Sequence, residues 1–258
     1  MVELSERQVA ILSALRRDGT QSVEALARTM AVSGQTMRRD LDTLSQRGLV
    51  RRVHGGAALA EGAGALSHQE RTHIAAAAKA AIGRLAADAI PNGCSVSLNV
   101  GTTTEQVAQA LRGHTNLMVL TNNVNIVGIL AGTPSKELIL AGGYYRQSDG
   151  AIVGEAAVDF VSNYKVDVAV IGCSALDEDG AVLDFDPREV SVARAILRNA
   201  RRKLLVADAT KFDRTASARI CDIGEIDLFL TDQPPRPRFA AVAQARGTEV
   251  RWPGMAAP

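Results

Sequence analysis

The sequence predicts a two-part fold: a small helical unit ending in a basic hairpin, then a larger α/β unit with a largely parallel sheet. Three observations predict it. Residues 1–60 hold three short apolar periodicities of helical spacing. From Ser95 onward, short apolar runs alternate with helical stretches. Between the two lies a run of small residues and Gly, AALAEGAGAL from Ala57 to Leu66, which reads as a linker. At 258 residues the chain is long enough for two domains, and 47% hydrophobic with 22% charged residues is ordinary globular composition.

The first helix opens at Ser5, where a hydroxyl at the N-cap and Gln8 three residues on make a capping box. Val9, Ile11, Leu12 and Leu15 supply its apolar face, and Asp18-Gly19 stops it. A second helix starts at Ser22 and is expected to bury Val23, Leu26, Ala27 and Met30. Ala31-Val32 is the turn, and Ser33 caps a third helix. There Met37, Leu41 and Leu44 share one face, which leaves Gln35, Arg38 and Arg39 on the opposite face and Thr36 at its edge. Asp40 turns toward the packed side and reads as a structural partner for an arginine or a neighbouring helix. Gly48 then leads into a hairpin bearing Arg51, Arg52 and His54 ahead of Gly55-Gly56.

An arginine face alone is most often a solvated face. Three helices in this order with a basic hairpin attached form a winged helix-turn-helix, which lays one helix in the major groove and a wing on the backbone. Arg grips guanine bidentately, Gln grips adenine, and a helix start favours phosphate. Charge agrees: residues 1–60 carry nine Arg and no Lys against six Asp and Glu, an excess of +3 where the whole chain has +1. The candidate DNA contacts are Ser33, Gln35, Thr36, Arg38, Arg39, Arg51, Arg52 and His54.

Ser67-His68-Gln69-Glu70 is expected to cap one long Ala-rich helix ending near Ile90, with a turn at Pro91-Asn92-Gly93. The strands are then SVSLNV, LMVLTN, ELILAGG, VDVAVIGCS, KLLVADA, DLFLTD and EVRW, with helices over 103–112, 123–131, 154–163, 187–200 and 236–246. Ligands of such sheets sit at the carboxyl ends of the strands. Three loops there are polar. Asn99-Val100-Gly101-Thr102-Thr103-Thr104 reads as a phosphate cradle, in which Gly admits an anion and three hydroxyls and the helix N–H groups point at it. It is not a Walker A loop, because no Gly-Lys-Ser/Thr follows. Asn122-Asn123 and Asp208-Ala209-Thr210-Lys211 are the other two, and Lys211 offers a cation to a phosphate. Cys94, Cys173 and Cys221 read as small buried hydrophobes, and the four histidines share no metal spacing with them, so neither metal nor cofactor is expected.

Arg7, Ile11, Leu15, Ser33 and the run Thr36-Met37-Arg38-Arg39-Asp40-Leu41 resemble the N-terminal signature of the DeoR family of bacterial transcriptional regulators, and RRVHGGA resembles its wing. The resemblance continues through AGG…DGAIVGEAAVDFV and FDPREVSVARAIL in the second half. It implies a Rossmann-like effector domain resembling sugar-phosphate isomerases without their catalysis. Gly101 to Thr104 then hold the phosphate, Lys211 pairs with it, and Asn122, Asn123 and Asp208 line the site. TNNVNI, LILAGGYYRQSDGAIVGEA, DFDPREV and FLTDQPP resemble the branch that governs glycerol 3-phosphate regulons. Many members carry Asp where Asn99 stands, and Glu and Lys where Ser191 and Ala193 stand, while Glu189 and Arg194 match.

The expectation is a winged helix-turn-helix over 1–58, a linker and the start of a connecting helix over 59–74, and an α/β effector domain over 75–258. The chain is expected to act in the cytoplasm, away from membranes: no apolar run is long enough to span one, and no secretion signal opens the sequence. Its expected partners are a double-stranded DNA operator, a phosphorylated effector (glycerol 3-phosphate or a sugar phosphate) and further copies of itself, as a homodimer or higher homo-oligomer. The rival readings are an activator and a sugar-phosphate isomerase fused to a DNA-binding module, for which Asp184, Asp186 and Glu189 are the available acids.

Overall fold

The computed structural model of the protein describes residues 4–46, 49–53, 55–59, 68–134 and 136–255. The chain forms two compact units, Met1–Ile74 and Ala75–Pro258. His54, Ser67 and the turn at Gly48 lie outside the described residues.

The first unit begins with helix α1 (Glu6–Asp18), held by the capping box of Ser5 and Gln8 and ended at Gly19. A two-residue strand β1 (Gln21–Ser22) leads into α2 (Val23–Thr29), capped by Ser22. Met30 is half-buried at the end of α2 rather than buried within it. Ala31 turns the chain with a φ of 52°, and α3 (Gly34–Gln46) follows. Met37, Leu41 and Leu44 of α3 are fully buried against Ile11, Leu12, Leu15, Val23 and Leu26. Strands β2 (Val50–Val53) and β3 (Gly56–Leu59) form the antiparallel wing. Strand β1 pairs with β3, so the wing is stitched to the start of α2, where Val23 N–H donates to the Gly55 carbonyl at 3.0 Å. Gly56 sits against the Gln21 backbone so closely that any Cβ would strike it. Ala57 to Leu59 therefore belong to the wing, with Ala57 fully buried, and not to the linker read from composition.

The expected single helix after the linker is two: α4 (His68–His73) and α5 (Ala76–Asp88), separated by Ala75 at a left-handed φ of 52°. Ala-rich sequence favours unbroken helix. Here two cores claim the run: Ile74 packs against the core of the first unit, while Ile82, Ala86 and Ala87 belong to a core of the second.

All seven strands read from the sequence enter one parallel sheet. They are β4 (Ser95–Leu98), β5 (Leu117–Thr121), β6 (Lys136–Leu140), β9 (Val166–Ile171), β12 (Ala200–Val206), β14 (Leu228–Leu230) and β15 (Glu249–Arg251). Their order is β15-β14-β12-β9-β4-β5-β6. Successive side chains alternate between two cores. Val168 and Val170 face one with Leu204 and Val206, and Ala169 and Ile171 face the other with Leu205 and Phe229. Helices α5, α6 (Thr102–Ala110) and α7 (Val124–Leu130) bury residues in the first of these cores. Helices α8 (Glu155–Ser162), α9 (Pro187–Arg198) and α10 (Pro237–Ala245) bury residues in the second. The sequence reading missed two small antiparallel sheets: β7 (Tyr144–Arg146) with β8 (Ala151–Val153), and β10 (Ala175–Leu176) with β11 (Ala181–Asp184) and β13 (Ala218–Asp222).

Helices α5 and α6 meet at Gly83, where a Cβ would stand 2.6 Å from the Gln106 carbonyl oxygen. Gly to Ala inside a helix ordinarily stabilises by about 1 kcal/mol. At this position the clash is with backbone, so Gly83→Ala should instead destabilise the protein by about 1–3 kcal/mol. Urea unfolding measures it, and an unchanged or raised midpoint would refute the close packing.

Candidate effector site and DNA-facing helix

In the first unit one carboxylate orients the third helix. Asp40 is buried and accepts from Arg7 Nε at 2.6 Å and from Gln8 Nε2 at 3.3 Å. Gln8 also closes the capping box, accepting from Ser5 N–H at 3.1 Å. Asp40 thus ties α3 to the first turn of α1, as its packed-side position implied. Gln35, Arg38 and Arg39 are exposed on the far face of α3. Ser33 accepts from Thr36 N–H at 3.1 Å, and the two hydroxyls share a 2.9 Å hydrogen bond. Arg38 lies 3.7 Å from Glu24, and both are exposed. Arg51 and Arg52 are exposed on β2, with Arg52 3.7 Å from Asp42 of α3.

In the second unit the sheet brings the candidate residues to one edge. Asn99 follows β4, Asn122 follows β5 and Asp208 follows β12, all at carboxyl ends. A Cβ on Gly172, just past β9, would lie 3.9 Å from the carbonyl oxygens of Val100 and Val206 and from Thr104 Cγ2. The ends of β4, β9 and β12 therefore converge there, a junction that no motif announced. Gly101, at a φ of 147°, begins α6, and no side chain caps the helix. Its first-turn N–H groups have no intrahelical acceptor and carry the positive end of the helix dipole.

Several hydroxyls and amides of the expected cradle are hydrogen-bonded within the protein. Thr104 is fully buried and donates to the carbonyls of Asn99 and Gly101, both at 2.7 Å, so it holds the loop rather than lining it. Asn99 Oδ1 accepts from Val100 N–H at 2.7 Å. Asn123 is also spent inside the protein: it caps α7 and donates to Glu105 Oε1 at 3.0 Å, where Asn125 donates as well. A residue after a strand can thus serve the start of the next helix. Thr102 and Thr103 are buried in the first turn of α6.

Two buried acceptors remain. Asn122 donates to the Ile152 carbonyl at 3.0 Å, but its Oδ1 has no hydrogen-bond partner. Asp208 accepts through Oδ1 from Thr210 N–H and hydroxyl, while its Oδ2 has none. Each is at most 1% exposed, a costly state for an unsatisfied oxygen. Lys211 is buried in the 3-10 turn Ala209–Asp213, close enough to Asp208 for its charge to act on that carboxyl. Burial alone would raise the Asp208 carboxyl. The charge of Lys211, the Thr210 hydroxyl and the charges of Lys79 and Arg214 outweigh it, and Asp208 titrates below its ordinary value.

The acids open to an isomerase are engaged elsewhere. Arg146 of β7 donates to Asp149 at 2.7 Å, to Asp186 at 2.6 Å and to Glu189. Asp186 is further held by Arg188 at 2.8 Å and titrates at about 2. Asp184 accepts from the Ser174 hydroxyl at 3.0 Å. One guanidinium thus faces three carboxylates. Burial and the Asp184 charge push Glu189 up to about 7, against the pull of Arg146.

Comparison with known proteins gives both units a family. Residues 7–62 match the DeoR-like helix-turn-helix domain, and residues 74–233 match the DeoR C terminal sensor domain. The chain is 40% identical over 231 residues to the glycerol-3-phosphate regulon repressor of Escherichia coli K12, covering 90% of this chain and 92% of that one. It is equally identical over 231 residues to the repressor of the same name from Haemophilus influenzae, with 90% of each chain covered. The transcriptional repressor CsqR of E. coli K12 is 33% identical over 247 residues, 96% of this chain and 95% of that one. Among solved structures, ribose 5 phosphate isomerase A of Neisseria gonorrhoeae aligns over 52% of each chain at 12% identity and a TM-score of 0.38.

The Arg146 cluster makes stability depend on pH with a definite sign. Glu189 titrates at about 7 in the fold, above its ordinary 4.5, so its protonated form favours folding. That contribution is complete below 4.5 and is lost as pH rises through 7, a change of at most about 3 kcal/mol. Glu189→Gln should flatten urea-unfolding stability across this window. A wild-type profile already as flat as the variant's would refute a protonated Glu189.

Proposed function

The chain belongs to the DeoR family of transcriptional repressors, and we propose that glycerol 3-phosphate is the effector that releases it from its operator. The observation that carries this reading is the pairing of Lys211 and the uncapped start of α6 with two buried oxygens that lack donors, on Asn122 and Asp208. The first pair suits a phosphate, and the second suits hydroxyls. The 40% identity to repressors named for the glycerol 3-phosphate regulon supports the three-carbon ligand over a larger sugar phosphate.

In this reading α3 enters the major groove, with Gln35, Arg38 and Arg39 at base edges and Ser33 and Thr36 at the helix start. Arg51, Arg52 and His54 of the wing meet the backbone. Two copies bind paired half-sites as a homodimer or within a larger homo-oligomer, in the cytoplasm. Effector binding shifts the population toward a state that fits the operator poorly. The second unit senses without turning its ligand over. Support for this comes from the 40% identity to proteins named as repressors and from Asp186, which both Arg146 and Arg188 hold in ion pairs. Among the described residues, no helix is long and apolar enough to cross a membrane.

Arg38→Ala and Arg39→Ala should each weaken operator binding by about 1–3 kcal/mol while the protein stays folded. Gel-shift titration measures this, and folded variants of unchanged affinity would sink the role of α3 in recognition.

Glycerol 3-phosphate should release the operator where glycerol does not. Lys211→Ala should leave DNA binding intact but raise the effector concentration needed for release. Isothermal titration with glycerol 3-phosphate, sugar phosphates and glycerol decides the matter. A tighter sugar phosphate would replace the effector, and tight binding of an unphosphorylated ligand that ignores Lys211→Ala would overturn the phosphate site.

A further inference from the structure

The parallel sheet ends in two margins, β15 on one side and β6 on the other. An edge strand presents unpaired backbone N–H and C=O groups, which proteins guard with short length, charge or proline. Strand β15 is guarded. It has three residues, Glu249 and Arg251 pair their charges along it, and Pro253 follows.

Strand β6 is not guarded. Its five residues, Lys136–Leu140, are mostly apolar, and none is buried, whereas four of the five in its neighbour β5 are. The charge expected to protect such an edge is turned away: Lys136 Nζ donates to the carbonyls of His114 at 2.7 Å and Arg112 at 3.1 Å. Leu140 is 38% exposed. Among the described residues no strand pairs beyond β6. The margin is apolar on both faces. Leu138 is half-buried against one core, and Met118, Ile139, Phe160 and Tyr164 are half-buried around the other. The rings of Phe160 and Tyr164 lie 5.5 Å apart, centroid to centroid.

The direction of the free backbone groups selects the occupant. Alternate residues of a strand direct their N–H and C=O groups to the same side. Ala141 N–H donates to the Thr121 carbonyl of β5 at 2.8 Å. Residues 137 and 139 therefore face β5, and Lys136, Leu138 and Leu140 face outward. These three are symmetric about Leu138. A second copy related by a two-fold axis through Leu138 meets all of them, with Leu138 opposite its own copy and Lys136 opposite Leu140 on either side. Glu137 then stands opposite Ile139, so no like charges face each other. Five strand residues alone supply less than the roughly 800 Å² per partner of a standard interface. The half-buried residues on both faces, which the same axis brings together, add to it.

We propose that β6 is a dimer interface, through which two copies join their seven-stranded sheets antiparallel about Leu138. The proposal rests on the homo-oligomer of the reading above and names its surface. An isologous contact of this kind has the same two-fold symmetry as paired DNA half-sites.

The test uses the full-length protein. Leu138→Pro removes an outward N–H and leaves the ladder with β5 intact, so an isolated copy tolerates it. In sedimentation equilibrium the wild-type protein should be a dimer or a larger even assembly. Leu138→Pro and, independently, Leu140→Lys should each lower that mass by at least half, with the circular dichroism spectrum unchanged. Leu138→Cys should cross-link to its own copy under mild oxidation, because directly opposed hydrogen-bonded residues stand about 5.5 Å apart, within disulfide reach. The wild-type chain and Val250→Cys on β15 should not cross-link. Folded variants that keep the wild-type mass, with no cross-link at position 138, would overturn the β6 interface and leave the oligomer standing. Cross-linking of Val250→Cys instead would move the interface to β15. A wild-type monomer would overturn both the interface and the oligomer.

Discussion

A parallel sheet covered on both faces leaves little room for polar chemistry except at its strand ends. Here the strands alternate between two apolar cores, and the central strand β9 is buried along nearly its whole length. Every buried charge or amide discussed at the candidate site lies just past a strand or at the start of a helix. The carboxyl edge is also where helix N-termini gather, since each crossover helix begins there. The same burial that makes the sheet stable therefore concentrates positive potential at one edge. Asp208, Lys211 and the uncapped α6 all follow from that one constraint.

This constraint explains what could be read from the chain beforehand. The inner strands of the sheet were legible because doubly buried strands read as continuous apolar runs, and the edge strands β6 and β15 because they follow helical stretches in the same alternation. The missed strands, β7, β8, β10, β11 and β13, are short and lie outside the main sheet, so they carry no comparable run. The break at Ala75 was invisible for a different reason. Local propensity favoured helix there, and only the claim of two separate cores on one segment overrides it.

The site was legible as a set of loops but not as a set of side chains. Asn122 and Asn123 are adjacent and of one type, yet one keeps a buried oxygen without a donor while the other caps α7 and bonds Glu105. Which of the two keeps an unpartnered oxygen depends on the start of the next helix, not on the motif. Thr104 was likewise spent on the loop's own carbonyls. Lys79 escaped the sequence reading because it precedes the first strand of the sheet and sits among alanines, where a lysine ordinarily marks a solvated face. In the fold it is 2% exposed, on a helix that packs against α6 at Gly83.

Buried lysines also need a reason to persist in the absence of a ligand. Asp208 supplies it: its carboxylate faces the charges of Lys211 and Lys79 and stays ionised despite its burial. Asp208 also keeps one oxygen, Oδ2, that no donor among the described residues reaches. On the reading proposed above, a phosphorylated polyol would satisfy both halves of this arrangement, its phosphate meeting Lys211 and a hydroxyl donating to Asp208. A bare anion would compete with Asp208 for the same cations, and a neutral polyol would find an acceptor but no net charge to neutralise. On that reading the Asp208 carboxylate also favours ligands that bring a hydrogen-bond donor along with their negative charge.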